Sequence, residues 1–342
     1  MGKADSYRAA GVDLDQAETA KQRIGELVKS TRTKLTRGRI GAFGGMVRVP
    51  AGIRNPTLVL STDGVGTKVL VAIAAGRHDT VGEDLVNHCV NDILVHGAKA
   101  IAFLDYLAAA QLHTPTVAAV VEGVARGCKA HGMSLAGGET AQLPDLYHPG
   151  HYDLAGTIVG VVGERDALHG DRVKAGDVLV AFPSSGLHTN GYTLARRIVF
   201  ETLKLKVTDR WPDVGVVVAD ALLAVHRSYE KVLRPHLKAG RIHALAHITG
   251  GGIPGNLTRS LAKGLGAVIE RRTWSLPPLF RALQNAGKVS DDEMFRVFNM
   301  GVGMIAAVPE RQASVVGAKA KGGVESPWII GQVVKGAGVR IV

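Results

Sequence analysis

The chain has 342 residues, 46% of them hydrophobic, and a formal charge of +11 at pH 7. That size and apolar content predict an α/β enzyme of two domains, and 43 glycines with few aromatics argue against a fibrous or disordered protein. Two cysteines, Cys89 and Cys128, and the lack of any apolar stretch of about 18 residues exclude a disulfide framework, a zinc-ligand spacing and a membrane span. A cytoplasmic location is expected. The basic residues are scattered, in pairs such as Arg196-Arg197 and Arg271-Arg272 with few aromatics between them, so nucleic-acid binding is not expected.

In chain order, Ala20, Ile24, Leu27 and Val28 fall at helical spacing and predict a helix over 13–35, before a loop, 38–45, with four glycines. The β-branched run Thr57 to Thr62, between Pro56 and Gly64, reads as a buried strand. A helix follows from Thr80, with Glu83 three residues on as a capping box. Lys99 to Leu107 reads as a strand, and Thr114-Pro115 as the cap and first turn of a helix ending at Gly132. Short strands are predicted at Met133 to Ala136 and Tyr152 to Val162. The polar stretch Asp166 to Gly176 sets a domain boundary, giving domains 1–170 and 171–342. Beyond it, strand Asp177 to Phe182 leads into a loop, 183–191. Helices are then predicted at 191–204, 219–234 and after Pro254, and strands near 241–246, 267–270, 301–308 and 328–334.

Chemistry concentrates where strands end. Asp63, Gly64, Gly66, Thr67 and Lys68 supply a hard oxygen ligand, bare backbone N–H groups, a hydroxyl and a cation, the set that phosphate and Mg²⁺ require. On the helix from Thr80, Asp84, Asn87, His88, Asn91 and Asp92 share one face, and Asp92 is the residue expected on the metal or phosphate side. Gly137, Gly138, Glu139 and Thr140 repeat the first logic, so Asp63, Asp92 and Glu139 are expected to share one Mg²⁺. The loop Ser184 to Gly191, with Ser185, Gly186, His188, Asn190 and Gly191, feeds a helix N-terminus and reads as an anion cradle with a candidate acid–base histidine. His247 with Thr249, Gly250, Gly251 and Gly252 repeats that arrangement, and three successive glycines are hard to explain by packing alone. No G-x-x-x-x-G-K-[ST] sequence occurs, which excludes a P-loop. Gly301 to Ala306 matches G-x-G-x-x-A but lies within an apolar run, and reads as a strand with glycines for close packing.

Together these blocks, with Ser6 to Asp13, Val90-Asn91-Asp92, Phe103 to Tyr106 and Phe298-Asn299 with Gly301 to Met304, resemble the phosphoribosylformylglycinamidine cyclo-ligases, the aminoimidazole ribonucleotide synthetases of purine synthesis. The resemblance implies a two-domain α/β (α+β) fold that dimerises by combining N-terminal-domain strands into a barrel. It also implies ATP- and Mg²⁺-dependent closure of formylglycinamidine ribonucleotide to aminoimidazole ribonucleotide, with release of ADP and phosphate. Asp63, Asp92 and Glu139 would hold Mg²⁺, Lys68 and Thr67 the triphosphate, and loops 185–191 and 249–252 phosphate groups. His188 and His247 would be the proton-transfer groups. Arg8, Leu187, Val225-His226 and Met300 depart from the usual lysine, proline, Pro-Thr and cysteine of that family. Within the superfamily, a selenide-activating enzyme would show a reactive cysteine near the N-terminus, and a hydrogenase-maturation relative a cysteine-bearing tail. A thiamine-phosphate kinase is the alternative, and a basic nucleic-acid-binding protein the less favoured one.

Overall fold

The computed structural model describes residues 14–39, 41–318 and 326–342; the Ser6 to Asp13 block, Arg8 included, lies outside them. A helix, Leu14–Ser30, precedes two short paired strands, β1 (Thr36–Arg37) and β2 (Met46–Val47). The first large sheet is formed by β3 (Pro56–Gly64), β4 (Lys99–Ala109), β5 (Ser134–Gln142) and β6 (Tyr152–Gly163), in the order β3-β6-β4-β5. Helices Asp79–Leu94 and Thr114–Ala130 cover one face of it. The other face carries Leu58, Leu60, Leu104 and Tyr106, all at least 36% exposed.

The second sheet has the order β12-β9-β11-β7-β10-β8. Its strands are β7 (Val178–Pro183), β8 (Ala244–His247), β9 (Leu265–Ile269), β10 (Val302–Val308), β11 (Trp328–Lys335) and β12 (Gly338–Ile341). Every residue of β10 is buried, as its unbroken apolar run requires of an interior strand. All but the first residue of the G-x-G-x-x-A match, Val302 to Ala306, belong to this strand, and a side chain at Gly303 would collide with the Tyr229 hydroxyl and His188.

The two halves meet along the Asp79–Leu94 helix. Its polar stripe faces an irregular segment, 223–229, whose backbone has no ladder to satisfy it. Side chains of the first half do so instead. The Lys68 ammonium donates to the Ala224 carbonyl, and Asn87 to that of His226. Asn91 donates to the Arg227 carbonyl, while Asp84 and Asn91 accept the N–H groups of His226 and Tyr229.

Several local expectations change. The helix expected over 219–234 is two pieces, Val218–Leu222 and Glu230–Lys238, separated by that irregular segment. The capping box at Thr80 does not form: the helix begins at Asp79 after His78, with no side-chain cap, and Glu83 instead accepts from Arg126 at 2.7 Å. Gly137 to Thr140 lie inside β5 rather than after a shorter strand.

Candidate functional site

A cavity of about 440 Å³ opens between the end of β3, the Asp79–Leu94 helix and the end of β8. Asp63, His88, Asp92, His247 and Thr249 line it, with Ser61, Asn256 and Arg259. On β3 the period of two turns Ser61 and Asp63 towards the helix, where His88 and Asp92 stand one turn apart. The His88 Nε2 lies 2.8 Å from Asp63 Oδ2 and 3.5 Å from Asp92 Oδ2. Asp92 Oδ1 lies 2.8 Å from His247 Nδ1, and its Oδ2 accepts from the Ser61 hydroxyl at 3.2 Å.

Burial would push the His88 imidazole down, but the hydrogen bond to Asp63 and the charges of Asp92 and Asp63 hold it above the usual histidine value. Of the two rings at the acids, His88 therefore takes up a proton more readily than His247. Burial alone would raise Asp63, yet the bond and charge of His88 and the Gly64 N–H leave its carboxyl below the usual range. Asp92 is likewise held low, against burial, by the His247 hydrogen bond. Burial outweighs Asp92 at His247 and pushes that ring down, and its Nδ1, beside a carboxylate oxygen that can only accept, is the donor of that hydrogen bond.

Lys68 stands elsewhere. Its side chain is 0% exposed and ion-pairs with Asp84 at 2.7 Å, also 0% exposed, while donating to the His188 and Ala224 carbonyls. Two carbonyls and the Asp84 carboxylate thus surround the ammonium, while burial pushes the lysine down and the aspartate up. This lysine joins the two halves and presents nothing to a triphosphate. Thr67, one residue earlier, pairs with Thr193 across the same junction at 3.1 Å.

Glu139 does not join Asp63 and Asp92 either. Asp63, Gly156, Asp105 and Gly138 form one row across the sheet, which puts Gly138 three interstrand spacings, roughly 14 Å, from Asp63. Glu139 is the next residue and, by the alternation of a strand, belongs to the opposite, open face. Within one chain the three-acid site is not assembled; Asp63 and Asp92 alone face each other. Gly138 has a packing reason: a side chain there would strike the Asp105 carboxylate, which is buried and pushed up to about 7.

The histidine loop divides between two sides. Ser185 and Gly186 line a second cavity of about 590 Å³, with Arg227, Trp274 and Trp328. His188, 1% exposed and at φ +60°, turns inward, accepts the Ser185 N–H at Nε2 and keeps a buried Nδ1 without a hydrogen bond. Asn190 approaches the glycine loop, since a side chain at Gly250 would lie 3.3 Å from its Oδ1. Gly191, Gly251 and Gly252 all have positive φ, and a side chain at Gly252 would overlap the Phe295 carbonyl. Backbone geometry and packing thus account for two of the three successive glycines. The residues that the sequence reading missed are His88, which it placed on the stripe without a role, and His226, which it placed inside a helix. The stripe itself was the available signal for His88.

The N-terminal model of the AIR synthase related proteins matches residues 44–162, and the C-terminal model matches 174–342. The chain belongs to the AIR synthase related family. The phosphoribosylformylglycinamidine cyclo-ligase of Geotalea daltonii is 44% identical over 98% of this chain and 97% of its own. Those of Sorangium cellulosum (46%; 96% and 95%) and Geobacillus kaustophilus (45%; 98% and 97%) are similarly related. The fold is shared more widely. Thiamine-monophosphate kinase from Stenotrophomonas maltophilia superposes with a TM-score of 0.66 at 18% identity, covering 93% of this chain and 95% of its own. HypE of Escherichia coli does so with 0.65 at 18%, covering 94% and 93%. A structure of the hydrogenase maturation protein HypE in complex with ATP gives 0.61 at 18%, covering 90% and 84%.

Proposed function

We propose that this protein catalyses the ATP-dependent cyclisation of formylglycinamidine ribonucleotide to 5-aminoimidazole ribonucleotide in purine biosynthesis, releasing ADP and phosphate. The observation that carries the reading is the near-full-length kinship with cyclo-ligases, joined to a cavity where two carboxylates face each other. The kinase and HypE likenesses speak for the fold alone.

An amide oxygen leaves poorly, so ATP phosphorylates the formyl oxygen, and the amidine nitrogen then attacks that carbon and expels phosphate. The protein's task is alignment and charge neutralisation. Mg²⁺ suits the donor set: Asp63 and Asp92 offer hard carboxylate oxygens, with side chains 43% and 24% exposed towards the cavity and the Ser61 hydroxyl beside them. When bound it supplies neutralisation of phosphate charge. His88 Nε2 lies within reach of both acids, and Arg259 and Thr249 at the rim suit anionic oxygens. Ser185, Gly186, Asn190, Gly191, Gly250 and Gly251 remain our candidates for phosphate contacts, and Gly64, Gly66, Thr67, Gly138 and Thr140 for nucleotide contacts. Glu139 joins a nucleotide site only across a dimer. We propose that dimer, a homodimer closing the open sheet face into a barrel, because Leu58, Leu60, Leu104 and Tyr106 lie bare on it. Sedimentation would then give a dimer that Leu60→Asp reduces to monomer; a wild-type monomer would refute it. The division into domains 1–170 and 171–342 and a cytoplasmic location belong to the same reading; Cys89 and Cys128 are both free, and no helix among the described residues is long and apolar enough to span a membrane.

The test is ADP release from Mg-ATP with and without formylglycinamidine ribonucleotide, with product followed in the same tube. Equal amounts of ADP and aminoimidazole ribonucleotide are expected; no substrate-dependent ADP would overturn the assignment.

A further inference from the structure

The cavity of about 590 Å³ shares no lining residue with the carboxylate cavity and lies within the size range of small-molecule sites. Its wall is mostly apolar: the indoles of Trp274 and Trp328, with ring centroids 6.2 Å apart, stand with Pro277 and Phe280. Packing fixes that wall. Trp274 Nε1–H donates to the Met300 carbonyl at 3.1 Å, and Gly301, at φ +89°, lacks the side chain that would come within 2.8 Å of Pro277. Trp328 Nε1 is buried, without an acceptor among the described residues. Neither indole N–H is therefore available to a ligand; what the two rings offer is π surface, which suits a flat aromatic group. Asp220, paired with Arg77 at 2.6 Å, puts negative charge on this side. A third cavity, of about 350 Å³, adjoins the second, because Trp274 and Ser275 belong to both linings. Here the charge is reversed. Arg271 and Arg281 line it; Arg271 pairs with Asp291 and lies over Phe295, 5.7 Å from the ring centroid. Arg281 is exposed, donates to the Leu276 carbonyl at 3.4 Å, and has no carboxylate within ion-pair distance among the described residues.

We propose that the two adjoining cavities form one binding site for a nucleoside monophosphate, separate from the carboxylate site, with the base on Trp274 and Trp328 and the phosphate at Arg281 and Arg271. The orientation follows from charge. Asp220 repels a phosphate, whereas the Arg281 guanidinium presents the planar fork that phosphate oxygens accept. Ser275, exposed and common to both linings, brings a hydroxyl to the place where the sugar passes between them. A free phosphate needs only the arginines and a bare aromatic ring only the indoles, so the joined cavities select a ligand that has both groups. A monophosphate suits the polar cavity better than a triphosphate, because no acid lines it that could hold the Mg²⁺ that ATP carries. Ser185 and Gly186, named above as phosphate contacts for the reaction, also line the larger cavity, and a ligand of the reaction is therefore the competing occupant.

This site does not depend on the cyclo-ligase reading, because the experiment reads binding. Trp274 and Trp328 are two of three tryptophans, and the third, Trp211, is 0% exposed and lines neither cavity, so a ligand here changes indole emission. The full-length protein is titrated without Mg²⁺ with AMP, adenosine and ribose 5-phosphate, followed by emission corrected for absorption by the base and by calorimetry. AMP is expected to change the emission saturably, with adenosine and ribose 5-phosphate each binding about tenfold more weakly or worse. Arg281→Ser, at an exposed position, is expected to keep the fold and to weaken AMP binding about tenfold. Asp92→Asn, at the other cavity, should leave AMP affinity within about twofold. No saturable emission change at millimolar AMP, an unchanged AMP affinity in Arg281→Ser, or ribose 5-phosphate binding as tightly as AMP would overturn the proposal. So would displacement of AMP by formylglycinamidine ribonucleotide, since the larger cavity would then be the substrate's. Absence of substrate-dependent ADP release would overturn the cyclo-ligase reading alone and leave the binding result standing.

Discussion

The Asp79–Leu94 helix carries acids in three environments. At its exposed start Asp79 and Glu83 share Arg126, whose side chain is 43% exposed. In its middle Asp84 is sealed with Lys68 at 0% exposure, and near its end Asp92 meets His88 and His247 at the cavity wall. One residue type on one helix thus serves the surface, the junction of the halves and the site. What separates them is solvent. The closed pair meets only protein atoms, whereas Asp92 faces a space that a ligand can enter. A fifth acid, Asp105 on β4, is 9% exposed with no cation paired to it among the described residues, which shows the cost of burial without a partner.

Changing these acids and their partners tests the contrast. Lys68→Met leaves Asp84 buried and alone, and should cost about 3–5 kcal/mol in urea unfolding. A stability loss below about 1 kcal/mol with a tenfold rise in the KM for ATP would return Lys68 to the phosphate site. For Asp92→Asn, kcat should fall about 10²- to 10³-fold while the urea midpoint barely moves; the reverse pattern would make Asp92 a structural residue like Asp84.

Asp105 gives a pH dependence with a definite sign. Its carboxyl is raised to about 7 in the fold against about 3.9 in the unfolded chain. Between those values the native state binds the extra proton, so stability from this group is present below about pH 4 and is lost as pH rises, fully once pH passes about 7. Asp105→Asn should therefore gain on the wild type from pH 5 to 7 and run parallel to it above; urea midpoints that stay parallel throughout would remove the carboxyl from the account. The smallest effect belongs to the exposed pair. Arg126→Ala should change stability by no more than about 1 kcal/mol, less in high salt, and activity not at all. A larger loss would mean that exposure does not separate the three environments.

Most of the elements were legible in the sequence, as were two acids, Asp63 and Asp92, that the fold brings to one cavity. The β-branched run 57–62 and the apolar run of 301–308 are local patterns, and each forms a strand, although the first is largely exposed rather than buried as expected. Asp63 at a strand end and Asp92 on the polar stripe line one cavity, as expected of them, and the fold adds His247 to it. The stripe by itself fits either a surface helix with its polar face in water or a buried helix aimed at a site, and it is the fold that buries it. What local patterns do not contain is which strand lies beside which, and which face each side chain takes. Glu139 follows two glycines just as Asp63 precedes one, yet sheet order puts it at the far edge and a period of two puts it on the other face. Lys68 looked like a phosphate ligand until a helix 16 residues on supplied Asp84 and the second half supplied two carbonyls. His226 became visible only when the helix expected around it proved broken, its backbone bonds taken over by side chains from the other half. Proximity across the chain is decided by packing and register, and those are properties of the folded whole.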